Sequence, residues 1–260
     1  MADEILVEHG EAGIVTLTFN RPEKLNALTK AMWRNFGLAL EALSAEEDLR
    51  CLVLRGAGGR AFSPGNDIAE FETERANREQ GKAYGAIMHG SLTALRDFRH
   101  PTVALIEGIC VGGGLEIAAL CDLRICGRSS RFGVPISRLG LVMAYPELAG
   151  LHALVGRAAT LELLLEARVF GAEEAKEKGL VTRIVEDAEV EAEAYATAER
   201  IAAGAPLVHR WHKKFLARLA DPAPLSEAEV DEGYDCYDTE DFDIGRNAFL
   251  AKQDPQFRGR

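Results

Sequence analysis

The sequence predicts an α/β protein with a mainly parallel sheet and a helical C-terminal part. Apolar strand-like runs alternate with amphipathic helical stretches through the first half. One run, Cys51–Leu54 (CLVL), is apolar at every position, as in a parallel strand covered on both faces. After about Leu139 the chain reads as nearly all helix, with one strand-like piece at Leu180–Val185.

Ile14–Phe19 (IVTLTF) alternates and reads as a strand. The next segment, RPEKLNALT, is a turn feeding a helix over about Lys30–Ser44. That helix places Met32, Phe36, Leu40 and Leu43 at helical spacing. After CLVL comes the loop GAGGRAFSPGNDIAEF. A helix over about Gly81–Phe98 then carries Tyr84, Ile87, Met88, Ser91, Leu92 and Leu95 on one stripe. A strand at Val103–Ile106, a glycine turn and an apolar helix beside Glu116 follow, then a strand at Leu123–Cys126. GAEEAKEKGLVTRIV reads as a short helix stopped by Gly179, then a strand. The tail, about Ala188–Arg260, is helical and charged, suited to pack on the α/β core or on a neighbouring subunit. The chain has no internal repeat, no low-complexity tract and no clean linker.

Composition excludes several classes. At 47% hydrophobic and 27% charged, the chain is an ordinary globular one. A net charge of −11 argues against general affinity for nucleic acid or an anionic membrane, although a local basic pocket can still take an anion. No uninterrupted apolar run approaches the roughly 20 residues of a membrane span. The opening MADEILVEHGEAG is too acidic for a signal peptide. The five cysteines are odd in number and form no CxxC pair, as expected for free thiols in a reducing cytoplasm. The six histidines are scattered without metal-ligand spacing. GxxxxGK[ST] is absent, and Gly112–Gly114 does not form GxGxxG.

The chemistry concentrates in PTVALIEGICVGGGLEIAALCD, Pro101–Asp122. Gly112, Gly113 and Gly114 leave backbone N–H groups bare where strand gives way to helix. Such amides, at the positive end of a helix dipole, suit an anion or a developing oxyanion. Glu116 stands two residues past the last glycine, an acid/base beside those donors.

Six segments in order resemble the crotonase (enoyl-CoA hydratase/isomerase) superfamily across nearly the whole chain. They are RPEKLNALT, AFSPGNDIAEF, HPTVALIEGICVGGGLEIAALCDLRIC, RFGVPISRLGLV, GAEEAKEKGLVTRIV and DIGRNAFLAKQDPQF. The resemblance implies a spiral of ββα units. It implies an α/β core over residues 1–195 and a helical trimerisation region over 196–260, with trimers often paired into hexamers. Substrates would be coenzyme A thioesters, with no further cofactor. The thioester enolate would rest on the backbone amides of Asn66 and Gly113, and Glu116 would act as general acid/base. Coenzyme A would lie along Lys24, Ala27, Asn66 and Ile68. Phe249 and Lys252 match a tail motif that reaches a neighbour's nucleotide pocket; the alternative for the two lysines is a solvated face.

Two departures bear on the reaction. Family hydratases carry a second glutamate directly after the proline of FGVPI, and here that residue is Ile136. Where they have a glycine-rich stretch after LG, this chain has Met143–Ala144–Tyr145–Pro146–Glu147. Glu147 either caps the next helix or serves the substrate, and Tyr145 is a second candidate there. Arg138 either holds an acidic acyl group or makes an ion pair. Asp67 and Asp122 suit structural hydrogen bonds better than catalysis. His89, on the helix bordering the acyl pocket in relatives, and His100 are minor candidates for a base. Tyr234 and Tyr237 are candidates to line the pocket. Hydration is the best single reading. Isomerisation, thioester hydrolysis, decarboxylation and non-catalytic acyl-CoA binding are the alternatives.

Overall fold

A computed structural model describes residues 4–260. β1 (Ile5–His9) and β2 (Ile14–Phe19) open the chain as an antiparallel pair, Ile5 opposite Phe19. A tight turn at Pro22–Lys24 follows, with Leu25 and Asn26 at positive φ (55° and 63°). The Asn26 side chain steadies it, donating to the carbonyls of Ala57 and Ala61. α1 (Lys30–Ser44) begins where the Thr29 hydroxyl accepts from Met32 N–H. Next come β3 (Cys51–Gly56), β4 (Ala61–Ser63), α2 (Phe71–Glu74) and α3 (Arg78–Arg96). The Asn77 side chain caps α3 and fixes its start.

The central block is β5 (Thr102–Ile106), β6 (Ile109–Val111), α4 (Gly113–Leu120), β7 (Leu123–Gly127) and β8 (Arg131–Gly133). Then follow α5 (Tyr145–Glu166), β9 (Val169–Gly171), α6 (Ala172–Glu177), β10 (Arg183–Val185) and α7 (Val190–Ala202). The tail holds α8 (Pro206–Leu219), α9 (Glu227–Asp231) and α10 (Glu240–Ala251).

Ten strands form two sheets among the described residues. One runs β1-β2-β3-β5-β7-β10, parallel except for the β1–β2 pair. The other runs β4-β6-β8-β9, with β8–β9 antiparallel. The larger sheet is covered on both faces, as the CLVL run predicts. Leu52 and Leu54 join Trp33, Phe36 and Leu40 in the main core. Cys51 and Val53 face the other way, onto Val190, Ala194 and Ala198 of α7.

The division at 195/196 falls inside α7, whose buried side chains close the second face of the sheet. The core therefore runs to about Ala202. β1, β4, β6, β8 and β9 escape the sequence reading; four of the five are three-residue strands, too short for a periodic pattern to show. The strand expected at Leu180–Val185 is only Arg183–Val185, because Leu180 and Val181 turn into the core after Gly179 at φ +80°. α5 is long and apolar enough to span a membrane by length and composition alone. Glu147, His152, Arg157 and Glu162 interrupt it, and Gly156 at φ 72° breaks its helical geometry.

Candidate active site

β4 and β6 run parallel, Ala61 opposite Ile109 and, past a shift of register, Ser63 opposite Cys110. Their carboxyl ends therefore deliver two turns to one place, Pro64–Gly65–Asn66 and Gly112–Gly113. The approach is close. A Cβ at Gly65, where φ is +95°, would stand 2.6 Å from Gly113 N; one at Gly114 would stand 2.1 Å from Ser63 O. Only glycine admits this contact.

The arrangement leaves two amides bare. Asn66 pairs with Leu28 in a strand-like bridge: Leu28 N–H donates to Gly65 O, and Asp67 N–H donates to Leu28 O. Alternation along an extended segment then turns Asn66 N–H to the opposite side. Gly113 is the first residue of α4, so its N–H has no acceptor within the helix. Among the described residues neither amide donates a hydrogen bond. The Asn66 side chain is locked: Trp33 Nε1 donates to its Oδ1 at 2.6 Å, and Tyr84 Oη lies 3.3 Å from the same oxygen. Arg21 Nη1 bonds Asp67 Oδ2 at 2.6 Å and so ties the loop to the early turn.

Both amides border a cavity of about 90 Å³ that two carboxylates share. Glu116, in the first turn of α4, is only 5% exposed, and its Oε2 has no partner. Burial pushes its carboxyl up to about 8; the neighbouring Glu147 adds to the rise and Arg75 opposes it. Glu116 is therefore held as the neutral acid at neutral pH. Glu147, in the first turn of α5, is 8% exposed and lines the same cavity. Its Oε2 accepts from Ala144 N–H at 3.1 Å, and its Oε1 lies 2.7 Å from His89 Nε2. The two sequence readings of Glu147 are thus not exclusive: it caps α5 and faces the cavity. Ile136 supplies an apolar part of the wall.

Of the other candidates, Ile68 lines the cavity, 52% exposed. Ala27 is buried, its carbonyl accepting from Arg21 Nη1, and Lys24 lies exposed in the turn before it. Tyr145, the first residue of α5, is 90% exposed and does not line the cavity. Phe249 (83% exposed) and Lys252, which ends α10 at φ 55°, lie on the tail surface. Arg138 is exposed and does not line the cavity.

Asp122 is structural, accepting from Thr102 N–H, Thr102 Oγ1 and Lys213 Nζ. His100 is buried outside the cavity, and burial pushes it down to about 4. Tyr234 and Tyr237 are exposed, the latter against Phe242. Four cysteines are buried, and burial pushes the Cys51 thiol up to about 12, as in an inert core thiol. No cluster of three metal-ligating side chains occurs among the described residues. Sequence reasoning undervalued His89 and missed Arg75, which sits in an irregular stretch without a periodic signal.

Two paired βα turns thus present bare amides beside two buried carboxylates at one cavity. The family model for enoyl-CoA hydratase/isomerase matches residues 9–260, and the chain belongs to that family of enzymes. A solved enoyl-CoA hydratase/carnithine racemase of Magnetospirillum magneticum is 51% identical, with a TM-score of 0.97 over 100% of this chain and 97% of the other. The short-chain-enoyl-CoA hydratase of Clostridium acetobutylicum is 30% identical over 96% of this chain and 95% of its own. The crotonyl-CoA hydratase of Syntrophomonas wolfei is 30% identical over 99% of each chain. The crotonase fold expected from the motifs is the fold observed.

Proposed function

We propose that this enzyme adds water across the conjugated double bond of a 2-enoyl coenzyme A thioester. The thioester oxygen rests between the amides of Asn66 and Gly113, where it gathers charge as an enolate forms. In well-studied holes, loss of one such donor costs about 3–4 kcal/mol.

Glu116 and Glu147 then divide the proton work. Glu147, held by His89, removes a proton from water as the oxygen attacks Cβ. Glu116, neutral through burial, delivers its proton to Cα. Water is consumed whole: its hydroxyl ends on Cβ, its proton on Glu147, and the proton from Glu116 on Cα. Exchange with solvent resets the pair. Glu147 thereby supplies, from α5, the carboxylate that relatives carry where this chain has Ile136. The sharing of one cavity by Glu116 and Glu147 carries the reading.

We assign coenzyme A itself to the surface along Lys24 and Ala27, with no further cofactor. We also propose a homotrimer or a pair of trimers. The exposed Leu216, Phe249 and Leu250, at 71%, 83% and 75%, support a tail that meets another subunit, with Phe249 and Lys252 offered to that subunit's nucleotide. Free thiols and the acidic surface suit a cytoplasmic setting.

The test is a panel of trans-2-enoyl and 3-enoyl thioesters followed by the absorbance of the conjugated thioester. Hydration removes that absorbance from the 2-enoyl compounds. Appearance of absorbance from 3-enoyl compounds alone makes the enzyme an isomerase. No change on any member, with tight binding, makes it a binding protein.

A further inference from the structure

Arg75 directly follows α2 and lines the same cavity as Glu116. Its guanidinium carbon lies 4.7 Å from the ring centroid of Phe71 and 4.9 Å from that of Tyr84. Arg75 thus lies over two aromatic rings. A cation–π contact of this kind positions the guanidinium without requiring a hydrogen bond from its N–H groups.

No carboxylate pairs with Arg75 among the described residues. The nearby acidic groups are engaged: Asp67 with Arg21, Glu74 with Lys30, Glu147 with His89, and Glu70 with Lys30 N–H and the Tyr84 hydroxyl. Glu116 is neutral through burial. Among the described residues Arg75 is therefore the one charge lining the cavity that lacks an ion-pair partner. A planar, always-charged fork of this kind matches a carboxylate in two parallel hydrogen bonds.

We propose that Arg75 binds a carboxylate at the far end of the acyl chain, so that the preferred substrates are coenzyme A monothioesters of short dicarboxylic acids. This rests on the reading of the cavity as the acyl site of a thioester enzyme. The bare amides take the thioester end, so an anion reaching Arg75 comes from the acyl end. A cavity of about 90 Å³ keeps that chain short. Arg75 thereby takes the part that Arg138 is a candidate for in the sequence. A quaternary ammonium acyl group would meet repulsion at the same place.

Saturated thioesters test this without any chemical step. Glutaryl-CoA and pentanoyl-CoA have equal carbon counts and share coenzyme A, so the ratio of their dissociation constants isolates the terminal carboxylate. Wild type is expected to bind glutaryl-CoA at least about tenfold more tightly. Arg75→Met and Arg75→Gln are expected to bring the ratio near one. Equal or weaker binding of glutaryl-CoA by wild type overturns the proposal, whether or not the variants fold. A preference that survives in both variants overturns it as well. Neither result touches the hydration reading, which stands or falls on turnover of the 2-enoyl panel.

Discussion

His89 Nε2 stands 2.7 Å from Glu147 Oε1 and joins α3 to the first turn of α5 at the wall of the cavity. Glu147 Oε2 meets Ala144 N–H at 3.1 Å, so both oxygens are held while the carboxylate keeps lone pairs for water. His89 is in this sense a positioning residue. His89→Ala is expected to lower kcat about tenfold to a hundredfold while KM changes little. His89→Gln, which keeps a donor, recovers part of the loss. An unchanged kcat in His89→Ala, or a loss that His89→Gln does not recover, assigns the pair to packing alone.

The neutral state of Glu116 has a thermodynamic consequence. Its folded carboxyl titrates near 8, against 4.5 as the ordinary value, so the native protein holds a proton that the unfolded chain releases. This contribution is fully present below about pH 4.5 and is lost as pH rises toward and through 8. Glu116→Gln removes the titration. Across that window its urea midpoint is expected to fall less steeply than that of wild type. By pH 8 the variant is expected to be the more stable, by a few kcal/mol at most. Parallel curves for the two proteins would show that Glu116 is ionised in the native state.

Asn66 separates its backbone role from its side-chain role. Asn66→Ala keeps the amide but leaves the Trp33 indole N–H, buried at 0% exposure, without its acceptor. An orphaned donor of this kind costs about 1–3 kcal/mol. Chemical denaturation is expected to show that loss, with kcat reduced less than about tenfold. A hundredfold fall in kcat with unchanged stability would place the side chain in the chemistry instead.

The glycines of the two turns are not equivalent to the other glycines. Gly114→Ala drives a Cβ to 2.1 Å from Ser63 O and forces β4 from α4. Its expected outcome is loss of soluble folded protein. Gly90, in α3, has nothing within 4 Å of an added Cβ, and Gly90→Ala is expected to stabilise by about 0.5–1 kcal/mol. Thermal melts of the pair check both signs together.

Much of this was legible in the residues. The GGG turn before Glu116 and the matching FSPGND loop point to the bare amides, because close backbone approach requires glycine at Gly65 and Gly114. The CLVL run reveals a sheet covered on both faces. The second sheet stayed hidden, since three-residue strands such as Ala61–Ser63 carry no periodicity. Tyr145 and Glu147 are two residues apart at the start of a helix, and spacing alone cannot say which side chain turns inward. Only packing shows Glu147 buried and Tyr145 at the surface. Arg75 lacked any local signal because its significance lies in what it does not pair with.

The central claim is that Glu147 replaces the carboxylate missing at Ile136. The most direct measurement is kcat for hydration of the best 2-enoyl thioester by wild type, Glu116→Gln and Glu147→Gln. General acid–base residues of this kind contribute about 10²–10⁴-fold. Both variants are predicted to lose at least about a hundredfold in kcat while still binding the saturated thioester. A Glu147→Gln enzyme that hydrates at the wild-type rate while Glu116→Gln is inert would contradict the account and leave Glu116 as the only acid/base.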